Sequence, residues 1–391
     1  MMIPFRKQIM PYYHSLQLAR KYKGHSLYKR LSIMLDYYKL YRLKGLNINE
    51  YYEFEFEKQD YNFRKTFLGL NEQRYYLDYL NPKKYYSLAR NKYLAHKMLE
   101  NTGVQKTPLY CYYQPEGSFG ASDCIASNIN DVFRILKAKN VFSCVIKDTE
   151  NSHGEGVIVI KKIEYQQNEC LLHSFNGKIL KLSQILGKYP LLFEGMIRQT
   201  KQLASFNESS VNTVRFMTTL YPSGEARVIA TFIKIGRDGK CVDNAGDGGN
   251  VDACVDIDSG ELKNVIRYDG IRNVTSITHH PDSNNKLDGV KIDNWEGIKA
   301  QVINFQKAFP YIKAAGWDIA ITDNGPIVIE VNDMWDRTGQ LFIRKGWREE
   351  IRECYLTWLE YNMKNKVTYP FERQLNLLDS STLNRIVYNE F

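Results

Sequence analysis

Two carboxylates and an amide sit close together in one short stretch, GWDIAITDNGPIVIEVNDM (316–334). Apolar and polar residues alternate on both sides of Asp323-Asn324-Gly325, which is the pattern of a β-hairpin. A three-residue loop with Gly325 in the left-handed conformation places Asp318 directly opposite Glu330. Directly opposed side chains lie about 5 Å apart at Cβ. Asn332, two residues beyond Glu330, projects from the same face. Paired carboxylates repel unless a cation lies between them. Two acids and an amide are hard oxygen donors, a set suited to Mg²⁺ held together with phosphate oxygens. Ile319, Ile321, Ile329 and Val331 fall on the other face and are expected to be core. An exposed hairpin with its polar residues outward accounts for the same alternation but not for acid, acid and amide at that register.

A second group surrounds the loop Asn151-Ser152-His153-Gly154-Glu155-Gly156, entered from a strand ending in Lys147. Glycines let backbone N–H groups approach phosphate oxygens closely, and a nearby lysine adds charge. The stretch is not a P-loop, because it lacks GK[ST] and is followed by VIVI, a strand, where a P-loop has a helix. A plain turn fits the glycines equally well, and His153 alone reads as a loop histidine.

These residues must be positioned by regular elements. Residues 12–44 carry apolar side chains at helical spacing, with an interruption near Gly24, and 61–100 read as helical up to a stop at Gly103. From about 107 the texture changes to short β-branched runs, VFSCVIKD, GVIVIKK and LLFEGMI. VRFMTTL and ARVIATFIKIG follow on either side of Pro222-Ser223-Gly224. Helices are expected at 295–315 and 341–365. The fold class is therefore α+β, divided into a helical region (1–84), a first lobe (85–198), a second lobe (199–365) and a surface tail (366–391).

Composition limits the alternatives. The chain has 391 residues, 43% hydrophobic and 25% charged, values that exclude collagen-like, coiled-coil and wholly disordered readings. No apolar run approaches a membrane-spanning length of about 18 residues, and no signal-peptide core is expected. The seven scattered cysteines, with no CxxC pair, read as reduced packing residues of a cytoplasmic protein. Residues 1–110 hold twenty Lys/Arg against nine Asp/Glu, and seventeen of the 28 tyrosines. No zinc finger, RNP box or lysine-rich tail accompanies them, so no nucleic-acid partner is expected. The basic segment 1–44 has two readings. In one it lies on an anionic membrane surface, at the inner face. In the other Tyr12, Tyr28, Leu31, Leu35 and Tyr38 pack inward on the rest of the molecule while the lysines face water.

Taken in order, the motifs resemble those of the ATP-grasp superfamily over roughly residues 85–340. Lys92 in ARNKYLAHKMLENTGVQKTP resembles the lysine leading into that fold. Lys147 is similar to its strand lysine, and SHGEG to its phosphate loop. Glu194-Gly195-Met196-Ile197 resembles the hinge that meets adenine, and Asp318, Glu330 and Asn332 resemble its Mg²⁺ ligands. SSVNTVRFMT, VDNAGDGGNVDA, HHPDSN and GWDIAITDNGPIVIEVN resemble the sugar-transfer-associated ATP-grasp proteins of bacterial polysaccharide gene clusters. Gln199, Lys201 and Gln202 stand where a ribose-binding carboxylate is often found.

The resemblance implies an ATP-grasp fold, two lobes clasping ATP, with ATP and two Mg²⁺ ions as cofactors. Lys92, Lys147, Ser152, His153, Gly154, Gly156, Glu194, Met196 and Ile197 would bind the nucleotide. Lys147 and Arg215 would be catalytic, Arg215 steadying the transferred phosphoryl group; a structural ion pair between strands is its other reading. Arg337 could clamp a substrate carboxylate or be a surface residue, and His279 and His280 are expected to shape a turn. The implied activity is a carboxylate–amine ligase joining an amino acid to a uronic acid or amino sugar, with a small-molecule or glycan carboxylate and an amine as partners. A phosphotransferase and a non-catalytic glycan-binding protein are the alternatives.

Overall fold

The computed structural model describes residues 5–117, 123–150, 156–167, 169–243, 249–270 and 272–367. Ser152, His153 and Gly154, and the tail beyond Val367, lie outside the described residues.

Two seven-stranded sheets carry the architecture. The first is built from β1 (Leu109–Tyr113), β2 (Ile125–Ala126), β3 (Cys144–Asp148), β4 (Ile158–Tyr165), β5 (Cys170–Ser174), β6 (Ile179–Lys181) and β7 (Leu191–Glu194), in the order β2-β1-β7-β3-β4-β5-β6. Its pairs are antiparallel except β1–β2. It packs its own core, including Cys111, Ile146, Ile160, Leu172 and Phe193, under the helix Ile129–Ala138.

The second sheet holds β8 (Thr213–Leu220), β9 (Ala226–Ile235), β10 (Val251–Val255), β11 (Leu262–Tyr268), β12 (Val274–Ser276), β13 (Ala314–Thr322) and β14 (Gly325–Asn332). Their order is β12-β11-β10-β9-β8-β13-β14. Alternation gives the sheet two different faces. Val214, Phe216, Ile233, Trp317, Ile319 and Val331 bury against the helix Trp295–Ala308. The other face is apolar at one end, through Met217, Ala230, Phe232 and Ala314. It turns charged at the end where Arg215, Lys234, Asp318 and Glu330 emerge.

Several elements are shorter than their periodicity predicts. The helix expected over 295–315 stops at Ala308, because Pro310 lacks an N–H and disfavours helical backbone at Phe309. The helix expected over 341–365 divides into Gly339–Ile343 and Arg348–Lys364, separated by Arg344 in the left-handed region and by Gly346. Pro82 similarly interrupts 61–100, which forms four short α-helices and a 3-10 turn.

The helical region comprises α1 (Phe5–Lys21), α2 (Leu27–Lys44), α3 (Ile48–Glu53), α4 (Tyr61–Thr66) and α5 (Leu70–Leu80). α2 begins at the Ser26 cap and ends at Gly45, whose left-handed backbone closes the last turn. α3 carries a capping box between Asn47 and Glu50. Buried Leu18, Tyr37, Tyr51, Phe56 and Phe67 form an aromatic core of its own. Side-chain bonds then tie the region to the second sheet's lobe. Asn81 exchanges bonds with Ala314, Gln340 with Leu68, and Gln73 donates to the Trp335 carbonyl. Arg337, weighed above as a substrate clamp, lies 2.6 Å from buried Glu50 of α3 and joins these parts together.

Candidate active site

β13 and β14 bring Asp318 opposite Glu330, with Asn332 beside them opposite Gly316. The connection differs from the expected three-residue loop. Thr322 pairs with Gly325 across a two-residue turn, and a bulge near Ile329 supplies the missing offset. Ile329 therefore leaves the core face, where it was expected, and faces the cavity, while Val328 takes the buried position.

The acid pair is answered by cations from the protein itself. β8 places Arg215 directly opposite Asp318. Its Nε and Nη2 donate to the two carboxylate oxygens at 2.6 and 2.8 Å. Lys234 of β9 adds its Nζ at 3.1 Å from Asp318 Oδ1. Burial opposes ionisation of Asp318, but Arg215 and Lys234 outweigh it and hold the carboxyl well below the usual carboxylate range. Arg215 thus occupies the position of an interstrand ion pair. Lys92 Nζ stands 3.7 Å from Glu330, and Lys147 Nζ 2.7 Å from buried Glu194.

These groups converge on a cavity of about 550 Å³ between the two sheets. One wall is apolar: Val145, Val157 and Val159 from the first sheet's side, Met196 and Ile197 after β7, and Ile329. The other end is charged, with Lys92, Lys147, Lys234, Asp243, Asp318 and Glu330. Gly195 also lines it, and its N–H donates to the Pro108 carbonyl at 2.8 Å while Tyr110 and Pro108 crowd its Cα. Met196 and Ile197 follow it along the same edge of the cavity. Gly156 is exposed in the turn just before Val157 and β4.

The sequence reading missed Lys234, Thr213 and Asp243. Thr213 donates to Asp243 Oδ2 from its N–H and its hydroxyl, at 2.8 and 2.5 Å. Burial nevertheless raises the Asp243 carboxyl above its usual range, against the pull of Lys234. In sequence, a lysine inside ARVIATFIKIG resembles a solvated strand residue. Gln199, standing where a ribose carboxylate was sought, instead bonds the carbonyls of Asn207 and Ser210. Glu208 is the carboxylate that reaches the cavity at that edge. His280 is buried in a turn and bonded to the Gly236 carbonyl, as a turn-shaping histidine should be.

Among the described residues no three His, Cys, Asp or Glu side chains form a ready-made metal cage. Both Asp318 oxygens are engaged by cations, which leaves Glu330 as the less committed carboxylate, with the Asn332 amide oxygen alongside. That set still fits Mg²⁺, which commonly takes one or two carboxylates and completes its shell with phosphate oxygens and water.

A comparison with curated proteins finds no match. Among solved structures, N5-carboxyaminoimidazole ribonucleotide synthetase from Thermotoga maritima is 11% identical, with a TM-score of 0.38 over 71% of this chain and 52% of that one. Biotin carboxylase from Campylobacter jejuni is 9% identical, with a TM-score of 0.40 over 71% and 48%. D-alanine–D-alanine ligase from Bacillus anthracis is 12% identical, with a TM-score of 0.37 over 70% of each chain. The chain spans about half the length of the first of these structures. The family profile described as sugar-transfer associated ATP-grasp matches residues 71–354, both sheets included. The chain belongs to the sugar-transfer associated ATP-grasp family.

Proposed function

We propose that the protein is an ATP-dependent carboxylate–amine ligase. It forms an amide between an amino acid and a sugar bearing a carboxyl or amino group, in the assembly of a bacterial surface polysaccharide. The observation that carries this reading is the polarity of the cavity, an apolar slot at one end and three lysines, each facing a carboxylate, at the other. A planar base suits the valine-lined slot, and a polyphosphate suits lysines that can exchange a carboxylate partner for a phosphate.

In this reading Lys92 and Lys147 bind the phosphates of ATP, and Met196 and Ile197 meet the base through their backbone. Lys234 and Arg215 hold Asp318 ionised beside the reacting groups. A substrate carboxylate oxygen attacks the γ-phosphorus and ADP leaves. The amine then attacks the acyl carbon, phosphate leaves, and the nitrogen gives up a proton. Glu330 and Asn332, beside Asp318, would hold Mg²⁺, which when bound draws charge from the transferring phosphoryl group.

Incubation with ATP and panels of amino acids and acidic or amino sugars, read by mass spectrometry, tests the proposal. ADP, phosphate and an amide in equal amounts are expected. ADP with a stable phosphorylated sugar would make the protein a phosphotransferase, and ATP binding without turnover on any panel would favour a binding protein.

A further inference from the structure

α2 is apolar on two sides. Its inner side buries Ile33, Tyr37 and Leu40. Its outer side leaves Leu27, Tyr28, Leu31 and Leu35 exposed, at 70%, 84%, 50% and 72%. At about 100° per residue, Leu27, Leu31, Leu35 and half-buried Tyr38 share one stripe, with Tyr28 at its margin. A helix that faced only water would carry polar residues there. This outcome also corrects the expectation that Tyr28, Leu31 and Leu35 pack inward.

Charge selects the occupant. Lys23, Lys29, Lys39 and Arg42 are exposed on or just before the helix, and none has an ion pair among the described residues. The single acid of α2, Asp36, is already held by Arg64 and by the Tyr51 hydroxyl. At about 100° per residue Lys39 and Arg42 border the apolar stripe and Lys23 precedes it, whereas Lys29 lies on the far side of the helix, so the charges beside the stripe are basic. A second copy docked on it by a two-fold axis would set these same cations against one another with no acid of α2 to answer them. A bilayer containing anionic lipid meets both features at once, taking the leucines among its acyl chains and the lysines at its headgroups.

We propose that the outward face of α2 docks the protein on an anionic membrane surface, an inference independent of the ligase reading. Salt should weaken the attraction, since exposed charges are screened.

Vesicle sedimentation of the full chain tests it, using phosphatidylcholine with and without phosphatidylserine at low and high salt. Binding is expected with phosphatidylserine at low salt only. Leu31→Glu/Leu35→Glu should lower the affinity about tenfold or more, and Lys39→Glu/Arg42→Glu should lower it and flatten its salt dependence. Both pairs are exposed, so thermal melting should be unchanged and serves as the folding control. Absence of phosphatidylserine dependence, or binding indifferent to both pairs, overturns the proposal. So does a dimer in solution that Leu31→Glu/Leu35→Glu dissociates. Hydroxyl-radical footprinting of the lipid-free protein adds a last arm: Tyr28 should react strongly, and protection by the chain's own segments would also overturn it.

Discussion

Asp318 is the residue on which the site's electrostatics turn. Its carboxylate lies between Arg215 and Lys234, all three largely withdrawn from water. Breaking a buried pair leaves uncompensated charge, typically at a cost of about 3–5 kcal/mol. Asp318→Asn should therefore lower stability by that order at neutral pH, seen as a fall in the urea midpoint. The sign of its pH dependence follows from the lowered carboxyl. Its contribution is complete above the unfolded value of about 4 and is lost as the pH falls below that. The gap between wild type and variant should narrow as urea titrations move from pH 7 towards pH 3. Glu330 behaves differently, being half-exposed with its lysine 3.7 Å away. Glu330→Gln should change melting by less than about 1 kcal/mol. It should nonetheless lower turnover about 100-fold or more, with a higher Mg²⁺ requirement, if it holds the metal. Steady-state rates over a Mg²⁺ titration check this.

At the scale of elements, the hairpin was legible because its information is local. Alternation fixes which residues share a face, so Asp318 and Glu330 could be paired from sequence, even though a two-residue turn plus a bulge replaces the expected loop. Ile329 was misplaced for that same reason, since a bulge flips one residue without altering the apolar pattern. Lys234 and Asp243 were not legible. Their proximity to Asp318 depends on how β9 and the segment after it align with β8 and β13, which long-range packing decides. α2 illustrates another limit: periodicity identifies an apolar face, but two such faces do not say which one is covered. Gly346 marks the tightest contact between elements. A Cβ there would lie 1.9 Å from the Thr66 carbonyl oxygen, at the end of α4. Backbone cannot yield as a flexible side chain can, so Gly346→Ala should force α4 and the helix Arg348–Lys364 apart. A loss of about 3 kcal/mol or more is expected in thermal melts, larger than most core truncations by a methyl group.

On the scale of the whole molecule, the helical region and the second lobe form one packed body, while the first sheet has a separate core. α5 supplies Tyr76, Leu77 and Leu80 to the cluster that covers the second sheet. Arg348 provides the clearest test. Its Nε donates at 2.8 Å to Glu72, a carboxylate with no exposure at all. Burial pushes the Glu72 carboxyl above its usual range, and Arg348 opposes that push. Arg348→Met removes the opposition while filling similar space, so the folded-state carboxyl should rise further. The native protein then retains a proton that the unfolded chain releases above about pH 4, and stability falls as pH rises through this window. The melting deficit should accordingly be larger at pH 8 than at pH 5, reaching about 3 kcal/mol or more. Hydrogen exchange shows where it falls. Amides of 27–90 and of the second sheet should lose protection together, while those of β3, β4 and β7 keep theirs. Equal loss in both sheets would make the molecule a single cooperative unit, and loss confined to 27–90 would make the helical region a separate one.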